Sequence, residues 1–139
     1  MTLSIESPAS AGSEPVRLMV CTTCRAAGAD ADAPRPGAQL LAALGEALMA
    51  DADARVRLVV EPVECLSVCK RPCTVSITAP GRWTYVYGDV DPAAHAGPLV
   101  AFAAQYQATA DGLVPWRERP EFIRKGVVAR IPPLVRAAP

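Results

Sequence analysis

The sequence predicts an α/β fold: a mixed four-stranded sheet, built as βαβ and then ββα, flanked by helices. Three observations predict it. Two similar β-branched runs, "VRLMV" at 16–20 and "VRLVV" at 56–60, bracket an amphipathic helical stretch. Two further alternating runs are joined by the turn signal "PGR" at 80–82. A second helical stretch comes after them.

The first run alternates, reads as a short buried strand over 16–20, and ends at Cys21. "RAAGADADAPRPG", 25–37, is a loop by composition, rich in small residues, Asp, Pro and Gly. "AQLLAALGEALMADA", 38–52, places Leu40, Leu41, Leu44 and Leu48 at helical spacing, with Gln39 and Glu46 opposite. "VRLVVEPVE", 56–64, is a second strand that runs into Cys65. "TVSITA", 74–79, and "WTYVYGDV", 83–90, make a hairpin. Asp91 and Pro92 give a helix-start signal. Gly97 and Pro98 then interrupt the chain, and the main helix is expected over 98–108. Strands joined through a helix should be parallel, and a hairpin must be antiparallel. This is the thioredoxin-like order.

Composition sets outer bounds. The chain has 139 residues, enough for one modest core, and its formal net charge is zero. No bulk field draws it to nucleic acid or to an anionic membrane surface. No apolar run reaches the length of a membrane span. "MTLSIESPASAGSEP", 1–15, lacks the basic and apolar regions of a secretory signal and reads as a disordered leader. A cytoplasmic location is therefore expected. The domain proper is expected over 16–108, with a basic, proline-rich tail over 109–139.

Five cysteines are the chemistry-bearing feature. Cys21 and Cys24 follow the first strand. Cys65, Cys69 and Cys73 lie in "VECLSVCKRPCTVSI", 63–77. Parallel strands joined by one crossover bring their C-terminal ends to the same edge, so Cys21 and Cys24 should approach Cys65 and Cys69. In reducing cytosol such a cluster points to metal or redox chemistry rather than to structural disulfides.

Three chemistries are open. Cys21-Thr-Thr-Cys24 after the first strand of a βαβ unit invites thiol–disulfide exchange. That chemistry uses a helix N-terminus to activate the first thiol, and the loop 25–37 stands between Cys24 and a helix. A four-cysteine zinc site usually has two C-x-x-C knuckles, and only one is present. A [2Fe–2S] cluster takes four thiolates at wider spacing.

"VECLSVCKRPCTVSITAPGRWTYVYGDV" resembles the cluster-binding half of the thioredoxin-like [2Fe–2S] ferredoxins, and the resemblance spans about residues 16–108. It implies Cys21, Cys24, Cys65 and Cys69 as ligands, Pro72 as the turn residue and Cys73 as a spare thiol. Cys73 would then be a small buried residue, an alternative ligand or a neighbour of the cluster. Arg25, Lys70 and Arg71 flank the thiolates, where cations would stabilise an anionic cluster or simply face solvent. Over nearly its whole length the chain also resembles a bacterial family of small predicted metal-binding proteins of unknown function. The matching stretches are "CTTCR", "CLSVCKRPCTV", "YGDVDP" and "VPWRERPEFIRKGVVARIPP". That resemblance implies gene neighbourhoods concerned with cobalamin or cobalt.

His95, the single histidine, is expected at the surface rather than in the site. Asp89 and Asp91 are expected to end the hairpin and cap a helix. In the tail, Trp116, Arg117, Arg119, Phe122, Arg124 and Lys125 interleave aromatics with cations, the residue types that anchor interfaces. They would dock an acidic redox partner or a second copy in a homodimer, or wrap back over the sheet and bury Trp116. The expectation is a non-enzymatic one-electron carrier. The alternatives are a zinc- or cobalt-handling protein, and a thiol–disulfide protein using Cys21 and Cys24.

Overall fold

The structure is a computed structural model describing residues 15–23, 32–68 and 70–134. The expected leader lies almost wholly outside the described residues. Strand β1, Val16–Cys21, buries Val16, Leu18 and Val20 and turns Arg17 to solvent. That period-2 pattern is what a half-buried strand demands. Helix α1, Pro36–Met49, opens on proline, which suits a first turn because no intrahelical donor is needed there. Its Leu40 and Leu44 are fully buried, with Leu41 and Leu48 packed partly against the core.

The second strand does not begin at residue 56. A short helix α2, Ala52–Arg57, precedes β2, Leu58–Val63. Asp51 is the cause: its Oδ1 accepts from the Ala54 amide at 3.1 Å and caps the new helix. β1 and β2 are parallel, in register from Val16↔Leu58 to Cys21↔Val63. β3, Val75–Thr78, pairs antiparallel with β1 and with β4, Thr84–Tyr87. Gly81, at φ 73°, supplies the left-handed residue their turn requires.

Helix α3, Ala96–Ala108, starts earlier than expected and takes Gly97 and Pro98 into its first turn without interruption. Asp91 caps the turn ahead of it, accepting from the amides of Ala93 and Ala94. Leu99, Phe102 and Tyr106 form its buried face, and Phe102 meets Tyr87 edge-on at 5.9 Å. The α1 and α3 helices pack on each other and on β1.

The sheet has five strands rather than the expected four, in the order β2-β1-β3-β4-β5. The fifth, β5, Val127–Ile131, pairs antiparallel with β4 after a short helix α4, Glu121–Gly126. Ile123 of α4 and Val114 are buried. Gly126 lets the two backbones close, since a Cβ there would lie 2.8 Å from the Gly88 carbonyl oxygen, and the Gly88 amide donates to the Gly126 carbonyl at 2.8 Å. Trp116, in contrast, is 60% exposed, so the tail buries aliphatic residues and leaves its indole outside.

Candidate metal centre at the strand ends

Cys21 is the last residue of β1 and is clasped from both sides. Its amide donates to the Thr74 carbonyl at 3.0 Å, just before β3, and the next amide, Thr22, donates to Val63 at 2.9 Å, the end of β2. The Thr22 hydroxyl also donates to the Val63 carbonyl, and the Thr23 hydroxyl makes a short bond to the Glu64 carbonyl. The loop leaving β1 is therefore stapled to the residues that lead into Cys65. Cys21 thus stands against Val63 and Glu64, the two residues that precede Cys65.

The environments of Cys21 and Cys65 differ. Cys21 is 3% exposed, with its Sγ 3.7 Å from the Glu64 carbonyl and 3.8 Å from Thr23 Oγ1. Cys65 is exposed, and its Sγ accepts the Ser67 amide at 3.1 Å. Ser67 holds φ 60° to make that turn, and its own hydroxyl stands 3.9 Å from the same sulfur. A backbone N–H aimed at a cysteine sulfur stabilises negative charge there, so Cys65 is shaped as an acceptor, the role of a metal-bound thiolate. The described donors fit a thiophilic metal or cluster on that ground. Cys24, Cys69 and Arg25 lie outside the described residues. Among the described residues, no group of three or more His, Cys, Asp or Glu gathers to hold a metal.

Cys73 is 1% exposed and held in a backbone pair with Val90, at 3.4 and 3.1 Å. Of the expected flanking cations, Lys70 faces solvent. Arg71 is committed elsewhere: its guanidinium binds Asp89 Oδ2 at 2.8 Å and the Lys125 carbonyl at 3.0 Å. It ties the cysteine turn to the end of β4 and to α4.

Distance along the chain does not keep a helix away from Cys21. The first turn of α1 reaches Cys21, and a Cβ on Gly37 would collide with the Cys21 carbonyl oxygen. Separation along the chain is a poor guide here to separation in space. Composition and spacing also did not point to the i+2 hydroxyls of Thr23 and Ser67. The signal that could have found them is the Cys-x-hydroxyl pattern shared by "CTT" and "CLS".

His95 sits half-buried and away from the cysteine loops in sequence. Its Nδ1 accepts the Asp91 amide at 2.8 Å and its ring stacks on Phe122 at 4.1 Å. Arg119 and Arg124 lie over Trp116 at 5.5 and 6.0 Å, while Arg117 and Lys125 are exposed. Arg119 also donates to the Val114 carbonyl, and Arg124 to that of Arg119, so both are anchored to their own chain. Among the described residues, no helix is long and apolar enough to cross a membrane.

Solved structures share this fold. A thioredoxin-like [2Fe–2S] ferredoxin from Aquifex aeolicus aligns with 20% identity and a TM-score of 0.57, covering 88% of this chain and 98% of that one. A second, wild-type structure of that ferredoxin gives 18% identity and a TM-score of 0.54, covering 84% and 98%. A cysteine-to-serine variant gives 18% and 0.55, covering 82% and 98%. No curated protein matches the chain. The family model described as "Protein of unknown function (DUF1636)" matches residues 18–133.

Proposed function

Because this chain belongs to the DUF1636 family, and its cysteine loops are the part of the fold built for chemistry, we propose that it holds a [2Fe–2S] cluster and carries single electrons to a partner enzyme. The observation that carries this reading is the pair of sulfurs at adjacent strand ends, with Cys65 Sγ accepting the Ser67 amide at 3.1 Å. The ligands in this reading are Cys21, Cys24, Cys65 and Cys69. When bound, such a cluster supplies a one-electron couple whose potential follows charge and hydrogen bonding at its sulfurs.

The protein's own residues do the rest. Thr22 fixes the first loop to the second through its amide and hydroxyl bonds to the Val63 carbonyl, so that both sulfurs keep their positions as charge changes. Gly37 brings the first turn of α1 against Cys21, where the helix dipole favours negative charge. Trp116 and its flanking arginines would meet an acidic partner, with Arg117 and Lys125 outside the Trp116 stack and exposed to it. A thiol–disulfide role is disfavoured by the burial of Cys21, since exchange needs an accessible sulfur.

Anaerobic purification tests the reading. The protein should be coloured and contain about two irons and two sulfides per chain. A colourless protein with one zinc or cobalt per chain would overturn it in favour of metal handling.

A further inference from the structure

We infer that the hydroxyls of Thr23 and Ser67 are switchable donors to the sulfurs of Cys21 and Cys65, and that they set the potential of the group those sulfurs hold. This rests on the metal-centre reading above. Each hydroxyl stands two residues after its cysteine, with oxygen–sulfur distances of 3.8 and 3.9 Å. The two loops reach this relation by different backbones. Thr23 follows the end of β1, whereas Ser67 sits in the left-handed region at φ 60°. The likeness is therefore not inherited from a shared local fold.

Glu64 shows why a switch is needed. Its carbonyl receives the Thr23 hydroxyl and, at 3.7 Å, the Cys21 S–H. A thiol donates, but a sulfur bonded to a metal has given up that proton and can only accept. The Thr23 hydroxyl can then turn about its Cβ–Oγ1 bond from the carbonyl to the sulfur, with no heavy atom displaced. The Ser67 hydroxyl, beside an amide already donating to Cys65, completes a second donor on that sulfur. Donors to a ligand sulfur spread its charge and favour the reduced, more negative state, which raises the potential.

The alternative is that Thr23 is only a staple to Glu64. Potentiometric titration of the anaerobically purified full chain, with dithionite as reductant, separates the two. Thr23→Val and Ser67→Gly should each favour the oxidised form. The double variant should shift the equilibrium by about tenfold, ~59 mV more negative for one electron. Gly tolerates the positive φ and keeps the amide, so Ser67→Gly removes the hydroxyl alone. Thr23→Ser should restore the wild-type potential. Fully coloured Thr23→Val and Ser67→Gly with unchanged potentials would overturn the inference while leaving the cluster reading intact. If Thr23→Val does not fold, Ser67→Gly decides by itself. If the protein instead holds a single metal, the cluster reading fails and the inference is read on Co(II)-loaded protein. The sulfur-to-cobalt charge-transfer band should then move to lower energy in both variants, and an unmoved band overturns it. A chain that takes up neither group overturns both.

Discussion

Gly37, in the first turn of α1, rests directly on the carbonyl of Cys21: a Cβ there would overlap that oxygen and lie 2.9 Å from its carbon and 3.1 Å from the Thr22 Cα. The obstacles are backbone atoms at the end of β1 and of the residue after it, so no side chain can swing aside. Gly37→Ala should therefore push α1 off β1 and cost roughly 3 kcal/mol, the upper range for overpacking. The control is Gly45 in the same helix, where nothing lies within 4 Å of an added Cβ. Gly45→Ala should stabilise the protein by up to about 1 kcal/mol. Urea melts of both variants check the pair, and equal midpoints would refute the contact.

The tail makes a second contrast. Ile123 is fully buried, whereas Trp116 is 60% exposed despite its size. Ile123→Ala should cost ~3 kcal/mol, the usual range for emptying a core position. Trp116→Ala should cost under ~1 kcal/mol, since it loses mainly the stacking of Arg119 and Arg124. Thermal melts give the stability order. If Trp116→Ala proves the more damaging, the indole is packed more deeply than its exposure says.

These positions also show what is legible in the sequence. β1, α1 and the β3–β4 hairpin can be read because their apolar residues repeat at the period of the element that buries them. The residues Val127–Ile131 also carry strand-forming side chains, but their pairing with β4 is a long-range contact that no local pattern reports. Prolines on either side make them look like a wrapping tail. The α2 helix is hidden because Asp51 continues the composition of the preceding helix while acting as the cap of the next. Strand order alone places Cys21 beside the residues that lead into Cys65. It does not place the hydroxyls beside the sulfurs, because an oxygen–sulfur approach depends on loop backbone angles that composition does not encode.

Acid stability should depend on Asp91. Two backbone bonds, from Ala94 and Ala93, hold its carboxylate below the usual range. A depressed folded pKa means the unfolded chain binds the proton more readily. The contribution is thus present above the unfolded value, about 3.9, and fades as pH falls through the lower folded value. Asp91→Ala should be less stable at neutral pH and should show a shallower loss of stability below about pH 4. Urea midpoints across that window check the sign. A mutant curve parallel to wild type would rule out a role for the cap in acid unfolding.

Cys73 gives the sharpest test of the ligand set. Its backbone is held by Val90 on one side, and its neighbour Thr74 accepts the Cys21 amide at 3.0 Å. The side chain is 1% exposed and belongs to the buried core. Cys65, in contrast, is exposed in a turn shaped to support charge on its sulfur. A buried thiol behaves as a small apolar group, and replacing it with a hydroxyl should cost ~1–3 kcal/mol in that setting. Cys73→Ser should therefore keep the visible spectrum of the anaerobic protein, with a lower melting temperature and a shifted potential. Cys21→Ser, Cys24→Ser, Cys65→Ser and Cys69→Ser should each bleach it or weaken it severely. A colourless Cys73→Ser alongside a Cys69→Ser of wild-type colour would redraw the second ligand pair as Cys65 and Cys73. The thiol, buried in the core of the metal-free protein, would then have to leave that core to reach the metal.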